Sequence, residues 1–141
     1  MQQSDLIKRW FYELWGDGQL AVADEIMDDE YAPDWIQIEK KGAAQVQHEV
    51  RYFRSIFPDL TYEIVDLTEQ DDKVWVRYKG RGTQDGAGWG FEPTGKQVEF
   101  EGVTIFTISV EGKINDRWGA FCMYDIFADL GLVPPFWELN A

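Results

Sequence analysis

The stretch GFEPTGKQVEFEGVTIFTISVEGKINDRWGAFCMYDIFADLGLVP, Gly90 to Pro134, decides the fold. Polar and apolar residues alternate in KQVEFEGVTIFTISV and again in KINDRWGAFC, the period-two pattern of half-buried strands. A three-residue turn at Glu111-Gly112-Lys113 joins them as a hairpin. MYDIFADLG then reads as a short closing helix, with Gly131 as its stop and Pro134-Pro135 beyond it.

The same period runs upstream from Leu60. LTYEIVDLTE and KVWVRYKGRGT form two more strands around a turn at Gln70-Asp71-Asp72. The glycine-rich TQDGAGWGFEPTG lacks the lysine, the Ser/Thr and the following helix of a phosphate-binding loop, so it reads as a wide hairpin connection. Before Leu60 the period is helical. Ser4 is placed to cap a first helix, on which Leu6, Ile7, Trp10, Phe11, Leu14 and Trp15 form a broad apolar face ending at Gly16-Asp17-Gly18. A second, shorter helix carries Leu20, Ala23, Ile26 and Met27, and Tyr31 to Ile38 is a turn with a brief extended piece. A third helix from about Ala43 to Phe57 shows a stripe of Val46, Val50, Phe53 and Phe57. Helices first and antiparallel strands after is an α+β order. A strongly curved sheet wrapped around those helices makes a cone-shaped α+β barrel with a cavity inside.

Residues 1–141 have the length of one domain. A formal charge of −13 argues against nucleic acid and anionic membranes as partners, because both call for clustered Lys and Arg. No apolar run approaches the roughly 20 residues of a membrane span. The single cysteine, Cys122, excludes an internal disulfide, and with an N-terminus unlike a signal peptide it makes a cytoplasmic location the expectation. Seven Trp, six Tyr and nine Phe supply either a thick core or an aromatic-lined ligand cavity. One histidine, with no cysteine or carboxylate at ligand spacing, argues against a metal site.

Several motifs then fall into a familiar order. Phe57-Pro58-Asp59-Leu60, Gly80 to Thr83, Pro93-Thr94-Gly95-Lys96, Gly112-Lys113-Ile114 to Trp118 and Leu130-Gly131-Leu132-Val133-Pro134 resemble the SnoaL-like polyketide cyclases, as do Phe11-Tyr12-Glu13 and Gly18 in the first helix. The resemblance implies the ketosteroid-isomerase-like cone of the nuclear transport factor 2 superfamily. It also implies a homodimer through the outer sheet face, a small organic ligand in the cone and no cofactor. The family's cyclases close a ring by an intramolecular aldol reaction. That reaction needs a base to take a proton α to a carbonyl and a donor for the developing oxyanion.

In the family an aspartate just after the tryptophan of the last strand is the base, with a histidine on the neighbouring strand. Here those positions hold Gly119 and Ile105, and Gln84 and Cys122 stand where His and Asp are usual. The turn at Glu111-Gly112-Lys113 sets Thr107 opposite Arg117 and Ile105 opposite Gly119. Alternation then puts Glu99, Glu101, Val103, Ile105 and Thr107 on one face with Asn115, Arg117, Gly119 and Phe121. The resemblance makes this the cavity face, leaving Phe100, Phe106, Ile108, Ile114 and Trp118 outside. Arg117 is the candidate oxyanion stabiliser, or else the ion-pair partner of Glu101 or Glu99. Glu101 is the candidate general base, or else an exposed strand carboxylate. His48 and Tyr52 on the third helix, with Tyr12, Trp15 and Trp35, are candidate ligand contacts by the resemblance and surface or core residues without it. Ile105, Gly119 and Phe121 complete the expected pocket. The expected function is binding of a small apolar or aromatic carbonyl compound, with cofactor-free cyclisation or isomerisation. The alternative is a non-catalytic binding module of the same fold.

Overall fold

A computed structural model describes residues 2–139. Helix α1 (Gln3–Lys8) runs directly into a π-helical segment (Arg9–Gly16), followed by α2 (Val22–Ile26) and α3 (Gly42–Ile56). Four strands come next: β1 (Thr61–Gln70), β2 (Lys73–Thr83), β3 (Gln97–Ile108) and β4 (Ile114–Phe121). Helix α4 (Met123–Asp129) and a single 3₁₀ turn (Phe136–Glu138) close the described chain. The strands pair antiparallel in chain order, β1-β2-β3-β4, and the helices bury one face of that sheet. Asp28 N–H bonds Ile114 O at 2.9 Å, so the chain after α2 partly covers the free edge of β4. This is the α+β order read from the sequence.

The first helix differs from the expectation in geometry. Ser4 does not cap it; the helix begins at Gln3, and its N-cap position, Gln2, makes no side-chain capping bond. From Arg9 onward the turns widen, and Asp17 N–H reaches back five residues to Tyr12 O at 3.0 Å. In an α-helix residues five apart point about 140° away from each other. The wider turn instead carries Trp10, Phe11, Leu14 and Trp15 into the core together, and the rings of Trp10 and Trp15 lie 6.0 Å apart. Arg54 of α3 braces this turn: its Nη1 donates to the carbonyls of Trp15 and Gly16 and to that of Leu60, at 2.9, 3.0 and 3.0 Å.

The register of the last hairpin is a correction. Ser109 pairs with Lys113 and Ile108 with Ile114, but Thr107 then lies opposite Asp116 and Phe106 opposite Arg117. Asn115 is an extra residue in β4, a bulge that reverses the facing of everything beyond it. Arg117, Gly119 and Phe121 therefore point inward as expected, whereas their neighbours on β3 are Phe106, Thr104 and Gly102. Phe100, Phe106, Ile108 and Ile114, expected outside, are buried. Glu99, Glu101 and Ile105, expected inside, are on the outer face, and Glu99 and Glu101 there form cross-strand ion pairs with Arg81 and Arg77 at 2.8 Å.

Two glycines shape the inner face. A Cβ at Gly80 would meet the Phe100 ring at 2.3 Å, and one at Gly102 would meet the Tyr78 hydroxyl at 2.4 Å. Each glycine sits directly opposite the aromatic residue that covers it. The rings of Tyr78 and Phe100 thus lie close over the sheet backbone.

Candidate functional site

Between the helices and the inner face of the sheet lies a cavity of about 100 Å³. Trp10, Phe11 and Trp15 line it from the π-helical segment, and Glu49 and Phe53 from α3. Tyr62, Tyr78, Phe100 and Thr104 line it from β1, β2 and β3, while β4 supplies Arg117, Gly119, Ala120 and Phe121. Trp35, from the segment between α2 and α3, completes the wall.

Arg117 is its polar centre and is 8% exposed. Its Nε donates to the Tyr31 hydroxyl at 3.0 Å and its Nη2 to Glu49 Oε1 at 2.7 Å. The guanidinium carbon lies 4.8 Å from the Trp10 ring centre and 5.2 Å from that of Trp35, a cation held between two indoles. Trp35 Nε1 donates in turn to the Arg117 carbonyl. Burial alone would lower the pKa of Arg117, but the Glu49 carboxylate and the Tyr31 oxygen beside it outweigh that and hold it above its usual value. Among the described residues, Nη1 of Arg117 and Oε2 of Glu49 make no hydrogen bond. One free donor and one free acceptor of the same ion pair are thereby available at an aromatic cavity.

Tyr78 responds to the same environment. Burial, the largest influence, pushes its phenol up to about 12 from 10.0. The fold therefore favours the neutral phenol. That stabilisation is complete below pH 10, where the unfolded chain also keeps its proton, and is lost as pH rises from 10 to about 12. Tyr78→Phe is expected to flatten the alkaline fall in unfolding free energy by on the order of 1–3 kcal/mol, measured by urea titration on either side of that window.

The structure brings Arg117, Trp15, Trp35, Gly119 and Phe121 together and leaves the other expected residues outside. Glu101 is exposed in its pair with Arg77, because the bulge reverses the facing of β3 relative to β4. Ile105 follows it to the outer face for the same reason. His48 is exposed on α3 because Val46, Glu49, Val50 and Phe53 form that helix's inward side. Tyr52 is 43% exposed, and its hydroxyl accepts the Trp89 N–H at 3.1 Å. Tyr12 is likewise outside, accepting the Ile64 N–H at 3.0 Å. Gln84 staples the loop before β3, accepting Thr94 N–H at 2.7 Å and donating to Glu92 O at 3.2 Å. Cys122 is exposed.

Glu49 is the residue that sequence reasoning missed. Its signal was a carboxylate in the apolar stripe of α3, three residues after Val46 and four before Phe53. Among the described residues no group of three or more His, Cys, Asp or Glu side chains is placed to hold a metal ion, and no helix is long and apolar enough to cross a membrane.

The fold recurs in solved structures. TsrD from Streptomyces laurentii superposes with a TM-score of 0.84 at 21% identity, over 92% of this chain and 95% of that one. A SnoaL-like protein from Jannaschia sp. CCS1 gives 0.81 at 26% identity, over 94% and 93%. A SnoaL-like polyketide cyclase from Agrobacterium tumefaciens gives 0.75 at 17%, over 93% and 100%. No curated protein matches the chain. The family model of SnoaL-like polyketide cyclases matches residues 5–130, from the first helix through all four strands to the closing helix, and the chain belongs to that family.

Proposed function

We propose that the protein binds a small apolar or aromatic carbonyl compound in this cavity and performs cofactor-free proton transfer on it, leading to cyclisation or isomerisation. The observation that carries this reading is the buried Arg117–Glu49 pair, 2.7 Å apart, with a free donor on one partner and a free acceptor on the other. Glu49 Oε2 takes a proton from the carbon α to the carbonyl. The C–H electron pair becomes the enolate double bond, and the charge moves to the oxygen, where Arg117 Nη1 donates to it. Return of the proton at another carbon isomerises the compound. Attack of the enolate carbon on a second carbonyl closes a ring, and the new alkoxide takes the proton back from Glu49. Desolvation by the surrounding rings strengthens both interactions.

A non-catalytic binding module of the same frame is the second reading. It is favoured by Gly119, which stands where the family's cyclases keep the aspartate that serves as base. Exchange of the α protons of 2-tetralone in heavy water, followed by proton NMR, separates the two. Saturable exchange above the buffer rate supports the enzyme. Saturable binding without exchange leaves the module, and no binding rejects both.

The proposed partner is a second copy of the chain across the outer sheet face. Trp75, Ile105 and Trp118 lie side by side there in cross-strand register, with Trp75 51% and Trp118 52% exposed and Val103 in the adjacent row. Large exposed aromatics in one patch suit a protein interface. Trp118→Glu is expected to weaken self-association at least about 30-fold, read by sedimentation equilibrium. An unchanged association constant would place the interface elsewhere.

A further inference from the structure

Two hydroxyls on the sheet wall of the cavity are used neither by the fold nor by the proton transfer proposed above. Tyr78 on β2 and Thr104 on β3 both line the cavity and are 7% and 2% exposed. The Tyr78 hydroxyl lies over Gly102, where a Cβ would come within 2.4 Å of it. The Thr104 hydroxyl stands beside its cross-strand neighbour Gly119, where a Cβ would come within 3.2 Å. The two glycines thus leave room at both hydroxyls, and the aspartate of the family's cyclases at position 119 would crowd the second. Thr104 is near enough to Tyr78 to check the rise of its phenol. Neither hydroxyl bonds any other group among the described residues, and neither is sealed as Trp15 Nε1 and the Gln45 amide are. Two neighbouring hydroxyls hold two protons and spend at most one on each other, so an O–H is left for a guest. Phenylalanine and valine would fill these positions without the cost of an unmet polar group.

We infer that the Tyr78 and Thr104 hydroxyls form a second station for the ligand, holding an oxygen apart from the one at Arg117. The ligand is then an apolar ring body bearing two uncharged oxygens. They are uncharged because Arg117 and Glu49, the charged residues of the wall, already balance each other. The station selects the ligand and moves no proton. This inference rests on the reading of the cavity as a carbonyl-compound site.

The probes are 1,4-cyclohexanedione, with carbonyls across one ring, and cyclohexanone, the same ring with one. Cyclohexanone is expected to settle on Arg117, the charged donor, and the dione to reach both stations. Infrared difference spectra of the wild-type complex are expected to show both dione carbonyl stretches below their frequency in hexane. The double variant Tyr78→Phe with Thr104→Val is expected to return one stretch to that frequency. It is also expected to weaken the dione about five- to tenfold and cyclohexanone less than about twofold. Gly119→Ala, which crowds the Thr104 hydroxyl and leaves Arg117 in place, is expected to cost the dione selectively as well. Near-ultraviolet circular dichroism checks that the variants are folded. A stretch left at the hexane frequency in the wild-type complex, or equal losses for both probes in a folded variant, overturns the second station while the Arg117 site stands. Failure of the wild type to bind either probe overturns both. Selective loss in a protein that exchanges no α proton supports the station and removes only the catalytic reading.

Discussion

Replacing Arg117 by alanine is expected to lower the unfolding free energy by about 3–5 kcal/mol. The cost comes less from the lost attraction than from what is left behind. The Glu49 side chain is 15% exposed and its charge answers to Arg117 alone, so removing the guanidinium strands a carboxylate among aromatic rings. The substitution also removes the cation from between Trp10 and Trp35 and leaves a void beside them. The double variant Arg117→Met with Glu49→Leu removes both charges and fills most of the volume, and is expected to recover most of the loss. Urea unfolding of the three proteins at neutral pH checks this. If Arg117→Ala unfolds with the wild type, the pair is not a buried one and the account of the cavity fails.

The second large effect is on chemistry. Glu49→Gln is expected to slow α-proton exchange of 2-tetralone by about 10²- to 10⁴-fold, the range for losing a positioned base. Glutamine keeps the shape and still offers Arg117 an acceptor, so 2-tetralone affinity is expected to change little, and a retained affinity certifies that the variant is folded. Glu101→Gln is expected to leave exchange unchanged, because that carboxylate sits across the sheet with Arg77. A larger effect from Glu101 than from Glu49 would reverse the assignment of the base.

Much of the fold was legible because it depends on local period and on chain punctuation. Three helices, four strands and a closing helix lie where period and Gly/Pro signals placed them, with boundaries differing by a few residues. Alternation put Arg117, Gly119 and Phe121 on one face of β4, and the family resemblance made that face the inner one. The misreading was in how β3 faces β4. One extra residue, Asn115, reverses that facing; Asn115 and Asp116 are both exposed between buried Ile114 and Arg117. The pattern of β3 did carry a corrective. Val98, Phe100, Thr104, Phe106 and Ile108 share one parity, and Glu99 and Glu101 the other, which is where solvated charges belong.

The sequence by itself determined the α+β order, the family resemblance, the aromatic wealth of the interior and the presence of a cationic side chain on the inner face of β4. These follow from periodicity, composition and motif order, which are properties of short stretches. Only the tertiary structure decided that the partner of Arg117 is Glu49 rather than Glu101, since the two are 68 residues apart in the chain. It also decided that a π-helical turn gathers Trp10 and Trp15 at one wall and leaves an indole N–H without an acceptor. Those facts arise from how a bulge, a widened helix and two packed layers meet. The hydrogen-bond state of a buried group depends on everything around it, not on its neighbours in sequence.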